Sequence, residues 1–242
     1  MVLVEDLWKK FDKVVAVRGV SFNVYEGEIF GLIGPNGAGK TTILRIIATL
    51  LKPTKGKVIV YGYDVEREPD KVRRLISYLP EEAGVYDRLS GWENLLFYAR
   101  IYAGSENEAK RIATYGAKLS GLGNRLNDRA ETYSKGMKRR LLLARTLMIK
   151  PRLAILDEPT SGLDVYAAVE VRRLIKKYIA ETNSTIILSS HNMLEVEYLC
   201  DRVAFIDNGR IVALGKPREL IERFGGENLE EAFVNAVKGV KN

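Results

Sequence analysis

Residues 34–42 read Gly34-Pro35-Asn36-Gly37-Ala38-Gly39-Lys40-Thr41-Thr42. Two glycines five positions apart, followed by Lys and a hydroxyl residue, form a P-loop, and this loop constrains the structure on both sides of it. The glycines let successive backbone N–H groups turn inward and cradle phosphate oxygens. A strand must lead in and a helix must lead out. The run Glu28-Ile29-Phe30-Gly31-Leu32-Ile33 reads as a buried strand, and Thr41 to Leu51 reads as a helix with its positive end at the phosphates. Lys40 is expected at the β- and γ-phosphates and the Thr41 hydroxyl on Mg2+. The motif therefore predicts nucleotide binding.

A second cluster points to hydrolysis. Leu153-Ala154-Ile155-Leu156-Asp157-Glu158 is an apolar strand ending in two carboxylates. In a P-loop fold, a carboxylate at this strand end, here Asp157, makes the second Mg2+ contact. Its neighbour Glu158 is then positioned to orient and deprotonate an attacking water. An ordinary buried strand running into a solvated acidic loop would look the same over these six residues. The continuation Pro159-Thr160-Ser161-Gly162-Leu163-Asp164 weighs against that reading.

From Leu156 to Asp164 the chain resembles the Walker B and D-loop run of ATP-binding cassette (ABC) ATPases. The resemblance extends from about Val2 to the end, with further landmarks in the family's order. It implies that Phe11 stacks on adenine and that Tyr133-Ser134-Lys135-Gly136-Met137 stands in the place of the ABC signature. It also implies that His191, the chain's single histidine, is the switch histidine after the strand Thr185 to Ser190. Ser134, Lys135, Gly136 and Asp164 would then face the nucleotide held by a second protomer.

Two departures stand out. The chain contains no glutamine, and Glu81 occupies the position after the strand 75–79 where the family keeps a Gln near Mg2+ and the γ-phosphate. By resemblance Glu81 would take over that metal and nucleotide contact, with a charge the amide lacks; the alternative is a simple cap on the following loop. In the signature, Ser134 and Gly136 match the family while Lys135 and Met137 replace a Gly and the Gln. Such variants resemble the branch with ABC-2 type permeases, associated with export of drugs and polysaccharides.

Along the chain, strand patterns at Val2 to Leu7, Val15 to Val17, Val20 to Val24 and Lys57 to Tyr61 suggest a small N-terminal antiparallel sheet. Strands near 75–79, 153–157, 185–189 and 203–207 alternate with helical stretches, which implies a largely parallel sheet covered on both faces. Between Ala83 and Lys150 the strand signal vanishes, and helices are expected at Trp92 to Tyr102, Glu106 to Leu119 and Lys135 to Ile149. The expected fold is α/β: a P-loop NTPase (RecA-like) core with a mostly parallel sheet, an N-terminal antiparallel β subdomain and an inserted α-helical subdomain. Residues 1–242 form one domain, with 1–82 and 151–242 as the ATP-binding core and 83–150 as the insertion. A last helix, Leu229 to Gly239, is expected to stop at its glycine.

Composition narrows the class of protein. No apolar run approaches the roughly eighteen residues of a membrane span, and the first residues carry no basic or apolar leader pattern. The single cysteine, Cys200, excludes an internal disulfide and reads as a small core residue. A net charge of +7 fits lysine-rich solvated faces, nucleic acid or an anionic surface equally well.

The resemblance implies an ATPase subunit, with ATP and Mg2+ as cofactors, that powers transport through separate integral membrane permease chains. Two copies would close head to tail on ATP, with residues 83–92 as the permease contact. The chain would lie in the cytoplasm on the inner face of the membrane, and nucleic acid is not expected as a partner. The alternative is a non-transport ABC ATPase acting on nucleic acid or ribosomes. That reading lacks the long coiled coils or second cassette its members carry.

Overall fold

The computed structural model describes residues 1–241. Ten strands occur among them: β1 (Val2–Phe11), β2 (Val14–Val24), β3 (Ile29–Ile33), β4 (Lys55–Val60) and β5 (Tyr63–Asp64), then β6 (Ile76–Leu79), β7 (Leu153–Asp157), β8 (Thr185–Ser190), β9 (Arg202–Asp207) and β10 (Arg210–Gly215). The described helices begin with α1 (Lys40–Ile47), α2 (Pro69–Arg73), α3 (Gly91–Tyr102), α4 (Glu106–Ser120) and α5 (Lys135–Leu147). They continue with α6 (Val165–Thr182), α7 (Met193–Leu199), α8 (Pro217–Phe224) and α9 (Leu229–Lys241).

The strands form two sheets. One is antiparallel, in the order β2-β1-β4-β5; the other runs β10-β9-β3-β8-β7-β6. In the second sheet β6, β7, β8, β3 and β9 are parallel, and only the β9–β10 pair is antiparallel. Successive residues of a strand face opposite sides, and here both sides are apolar. Phe30, Leu32, Ile155 and Ile187 pack with α1 and the antiparallel sheet. Ile29, Ile33, Leu156, Ile186 and Leu188 pack instead with α5, α6 and α7. This double burial explains why these strands read as continuous apolar runs.

Several element ends differ from the sequence reading. β2 is one strand rather than two, because Gly19 takes φ 68° and lets the ladder pass an irregularity. α1 stops at Ile47 rather than Leu51, just before Thr49 turns to φ 63°. α5 closes at Leu147, shortly before Lys150 at φ 50°. α9 runs through Gly239 to Lys241, so that glycine is no stop. Glycine costs a helix about 1 kcal/mol, and buried Leu229, Ala232 and Ala236 anchor this one against that cost. No described helix is long and apolar enough to cross a membrane.

Candidate nucleotide site

The site gathers where parallel strands end, the usual ligand position in an open α/β sheet. β3 delivers the chain into the loop 34–39, and α1 begins at Lys40 with Gly39 before it at φ 105°. Glycine is required at two points of this loop. A Cβ on Gly34 would overlap the Ile206 carbonyl oxygen, and one on Gly39 would stand 2.6 Å from the Ala16 carbonyl oxygen. Ala16, residues Asn36 to Thr42, Glu81 and Glu158 line a cavity of about 240 Å³.

Lys40 is buried at the floor of this cavity. Its Nζ donates to the Gly34 carbonyl at 2.6 Å and the Pro35 carbonyl at 3.2 Å. It also lies 3.2 Å from Glu158 Oε1. That oxygen makes no hydrogen bond of sound geometry, so the contact is an ion pair.

β7 positions the carboxylates. Asp157, its last residue, is buried and accepts from Thr41 Oγ1 at 3.1 Å, Ser189 Oγ at 2.6 Å and Tyr78 OH at 3.1 Å. Burial, followed by the charge of Asp157, pushes the Tyr78 phenol up to about 12. The next residue, Glu158, takes the uncommon φ of 48°. Its N–H donates to Ser189 Oγ at 2.9 Å, and its carbonyl accepts from Arg139 at 2.7 Å. Burial lowers the Arg139 guanidinium pKa, opposed by Glu81, Glu195, Asp157 and Glu158. Glu158 Oε2 lies 2.8 Å from His191 Nδ1. The strand β8 ends at Ser190, so His191 sits beside Glu158 by virtue of the β7–β8 pairing, in which Asp157 faces Ser189.

The remaining predicted residues divide. Glu81 Oε1 accepts from Ser161 Oγ at 3.1 Å and lines both the P-loop cavity and a neighbouring one of about 270 Å³. Lys135 lines that second cavity, its Nζ against Gly162. Ser134 caps α5 by accepting from Met137 N at 3.2 Å, and Asp164 caps α6 by accepting from Ala167 N at 2.8 Å. A Cβ on Gly136 would stand 2.6 Å from Ala167 Cβ, so this glycine lets α5 and α6 approach. Ser134, Gly136 and Asp164 do not line the P-loop cavity of their own chain. Phe11 is exposed at the β1–β2 hairpin with Lys9 Nζ 4.8 Å above its ring, and it does not line the cavity either.

Four residues at or behind the site were not singled out from sequence: Tyr78, Ser189, Arg139 and Glu195. The signal for Ser189 was a pair of hydroxyls closing an apolar strand. For Glu195 it was an acid four residues past His191, on the apolar face of an amphipathic helix. Among the described residues no cluster of three or more His, Cys, Asp or Glu is arranged around a metal. The donor set of Thr41 hydroxyl and Asp157 carboxylate still fits Mg2+, which takes few protein oxygens and completes its shell with water and phosphate.

A P-loop closing a parallel strand, with two carboxylates at the end of the next strand but one, defines a P-loop nucleotide hydrolase. Comparison with known proteins narrows this class. A family model described as ABC transporter matches residues 17–161. The linearmycin resistance ATP-binding protein LnrL of Bacillus subtilis (strain 168) is 39% identical over 98% of this chain and 76% of its own length. The ABC transporter ATP-binding protein NatA of the same organism is 38% identical over 99% of this chain and all of its own. The daunorubicin/doxorubicin resistance ATP-binding protein DrrA of Streptomyces peucetius is 39% identical, covering 92% and 67%. Among solved structures, an ATP-binding subunit of an ABC transporter superposes with a TM-score of 0.83 at 32% identity, covering 98% and 99%. A dimeric ATP-binding cassette in a post-hydrolysis state with ADP and Pi gives a TM-score of 0.79 at 26% identity, covering 89% and 98%. The chain belongs to the ABC transporter ATP-binding family, and it is an ATPase.

Proposed function

We propose that this chain is the ATP-hydrolysing motor of an exporter whose membrane path is formed by separate permease chains. The observation that supports it most is that Glu158 meets both Lys40 and His191 beside the P-loop while the P-loop Thr41 hydroxyl reaches Asp157. Relatives named for linearmycin and daunorubicin/doxorubicin resistance support an outward direction.

In this reading the loop N–H groups of residues 34–42 and the Lys40 ammonium hold the β- and γ-phosphates. To do so Lys40 leaves the Gly34 and Pro35 carbonyls and the Glu158 carboxylate. Nucleotide binding thus frees Glu158, the proposed catalytic base, to orient the attacking water and accept its proton. His191 steadies the Glu158 carboxylate through Nδ1. Thr41 and Asp157 would hold Mg2+, with Glu81 at hand, and the ion when bound neutralises charge on the phosphate oxygens. Phe11 offers its exposed ring to adenine.

Ser134, Lys135, Gly136 and Asp164 serve the nucleotide of a second, identical protomer closing head to tail. The helix α5 starts at Ser134 and directs its positive end outward for that purpose. Residues 83–150 act as the inserted helical subdomain and 1–82 with 151–242 as the ATP-binding core. The stretch 83–92 is the surface offered to the permease, which holds the chain at the cytoplasmic side of the membrane.

The test is phosphate release by the purified chain with Mg·ATP, alone and with co-expressed multi-span membrane chains. The expected result is turnover abolished by Glu158→Gln and altered by the membrane chain. Turnover that persists unchanged in Glu158→Gln would remove Glu158 as the base, and indifference to every membrane chain would remove the transport role.

A further inference from the structure

Glu195 is fully buried in α7, and hydrolysis as described gives it no task. Placing a carboxyl in a protein interior is costly, and an apolar side chain of similar volume is often better tolerated. Its contacts converge on one turn. Glu195 Oε2 accepts from Ser190 Oγ at 2.6 Å, and the same Oγ accepts from Asn192 N at 3.0 Å. The Glu195 N–H donates to Asn192 Oδ1 at 3.2 Å. The residues on both sides of His191 are thereby tied to Glu195, one through the carboxyl and one through the backbone. Between them His191 Nδ1 stands 2.8 Å from Glu158 Oε2.

Helix capping does not require this carboxyl. The Asn192 cap uses a backbone N–H that any non-proline residue supplies. The shortest contact of the carboxyl is the hydrogen bond from Ser190 Oγ, and the Thr160 hydroxyl also acts on it. The charged and titratable groups acting on it come from several elements: Arg139 of α5, Arg172 of α6, Glu158 after β7 and Cys200 at the end of α7.

We propose that Glu195 is a positioning residue for ATP hydrolysis, holding the Ser190-His191-Asn192 turn so that the imidazole stays on the Glu158 carboxylate. The proposal rests on the roles given above to Glu158 and His191.

The experiment measures kcat, ATP affinity and thermal unfolding for Glu195→Ala, Glu195→Gln, Ser190→Ala and His191→Ala, and for Glu195→Ala combined with His191→Ala. Misplacing a reacting group by an ångström can cost about a hundredfold. Glu195→Ala is therefore expected to lower kcat about tenfold to a hundredfold, with ATP affinity held within about twofold. In Glu195→Gln the amide oxygen still accepts from Ser190, so kcat should stay within about threefold of the parent. Ser190→Ala cuts the same link from its other end and should reproduce the loss even if Glu195→Ala folds poorly. In the double variant, Glu195→Ala should add nothing to the loss from His191→Ala, because both act through one group. Two results would overturn the proposal while leaving the reading of His191 intact. One is parent-rate turnover by both Glu195→Ala and Ser190→Ala; the other is a further multiplicative loss in the double variant. Parent-rate turnover by His191→Ala would remove the reading of His191 and this proposal together.

Discussion

At the scale of single residues, the Lys40–Glu158 pair is the centre of the site. Both side chains are almost fully buried, 3.2 Å apart. Removing one partner leaves the other charge buried without compensation, a loss of roughly 3 kcal/mol. Lys40→Ala should thus weaken ATP binding strongly and also lower the melting temperature of the nucleotide-free chain. Equilibrium nucleotide titration and thermal unfolding measure the two effects, and unchanged affinity would contradict the role given to Lys40. Glu158→Gln should behave differently, keeping ATP affinity while losing about two to four orders of magnitude in turnover.

The carboxyl of Glu195 carries a pH signature. Burial pushes it up from the ordinary 4.5, opposed by the Ser190 and Thr160 hydroxyls. A raised acid favours the folded state while protonated. Its contribution is full below pH 4.5 and is lost as pH rises through the folded value. Glu195→Gln removes that loss, so its melting temperature should gain on the parent's as pH rises above 4.5. A constant gap across that range would contradict the sign.

The motif residues were legible in sequence because their chemistry depends on neighbours a few positions away. Lys40 and Thr41 follow the loop glycines, and Asp157 and Glu158 close one apolar strand. Tyr78 and Ser189 are different. They bind Asp157 only because β6 and β8 flank β7 in the sheet, and strand order is not written in local spacing. Arg139 reaches the Glu158 carbonyl by the packing of α5 against the core, which periodicity does not specify.

At the scale of elements, the alternation of strands and helices was legible, while their ends were set by single backbone conformations. α1 is short because Thr49 turns to positive φ, a choice no propensity signals for threonine. α9 is long because buried contacts outweigh the cost of Gly239. The helix α5 offers a test of local design. Ser134→Ala removes the Met137 N–H acceptor at its start, at a cost of about 1 kcal/mol. Gly136→Val acts on the other side of the same turn, forcing α5 away from Ala167 of α6. It should lower the melting temperature more than Ser134→Ala does. Equal, negligible shifts would mean that α5 and α6 can part freely. The reading of Cys200 as a core residue agrees with its place at the end of α7, where burial raises its thiol pKa well above the usual range. A maleimide should label it only after denaturation, so rapid labelling of the native chain would mean that α7 opens readily.

At the scale of the molecule, the question is what ATP changes. Ser134, Gly136 and Asp164 do not line the P-loop cavity of their own chain, although the resemblance assigns them to a nucleotide. Just beyond Asp164, Val165 and Tyr166 are 82% and 77% exposed at the start of α6. An apolar pair left in water beside capped helix starts suits a surface that a second copy covers. Without nucleotide, no phosphate bridges the P-loop of one copy and the Ser134 surface of the other. The free chain should therefore be mainly monomeric at micromolar concentration. Glu158→Gln with Mg·ATP should shift to a stable dimer, because the nucleotide that joins the halves is no longer consumed. Adding Ser134→Arg and Tyr166→Ser to Glu158→Gln should return it to a monomer while each chain still binds ATP, since neither residue lines its own cavity. Sizing chromatography coupled to light scattering, with bound nucleotide counted in the eluted peak, separates the outcomes. A tight dimer without nucleotide would reject the ATP-closed assembly. So would an ATP-bound dimer that survives both added substitutions, because the surface around Ser134 and Tyr166 would then lie outside the contact.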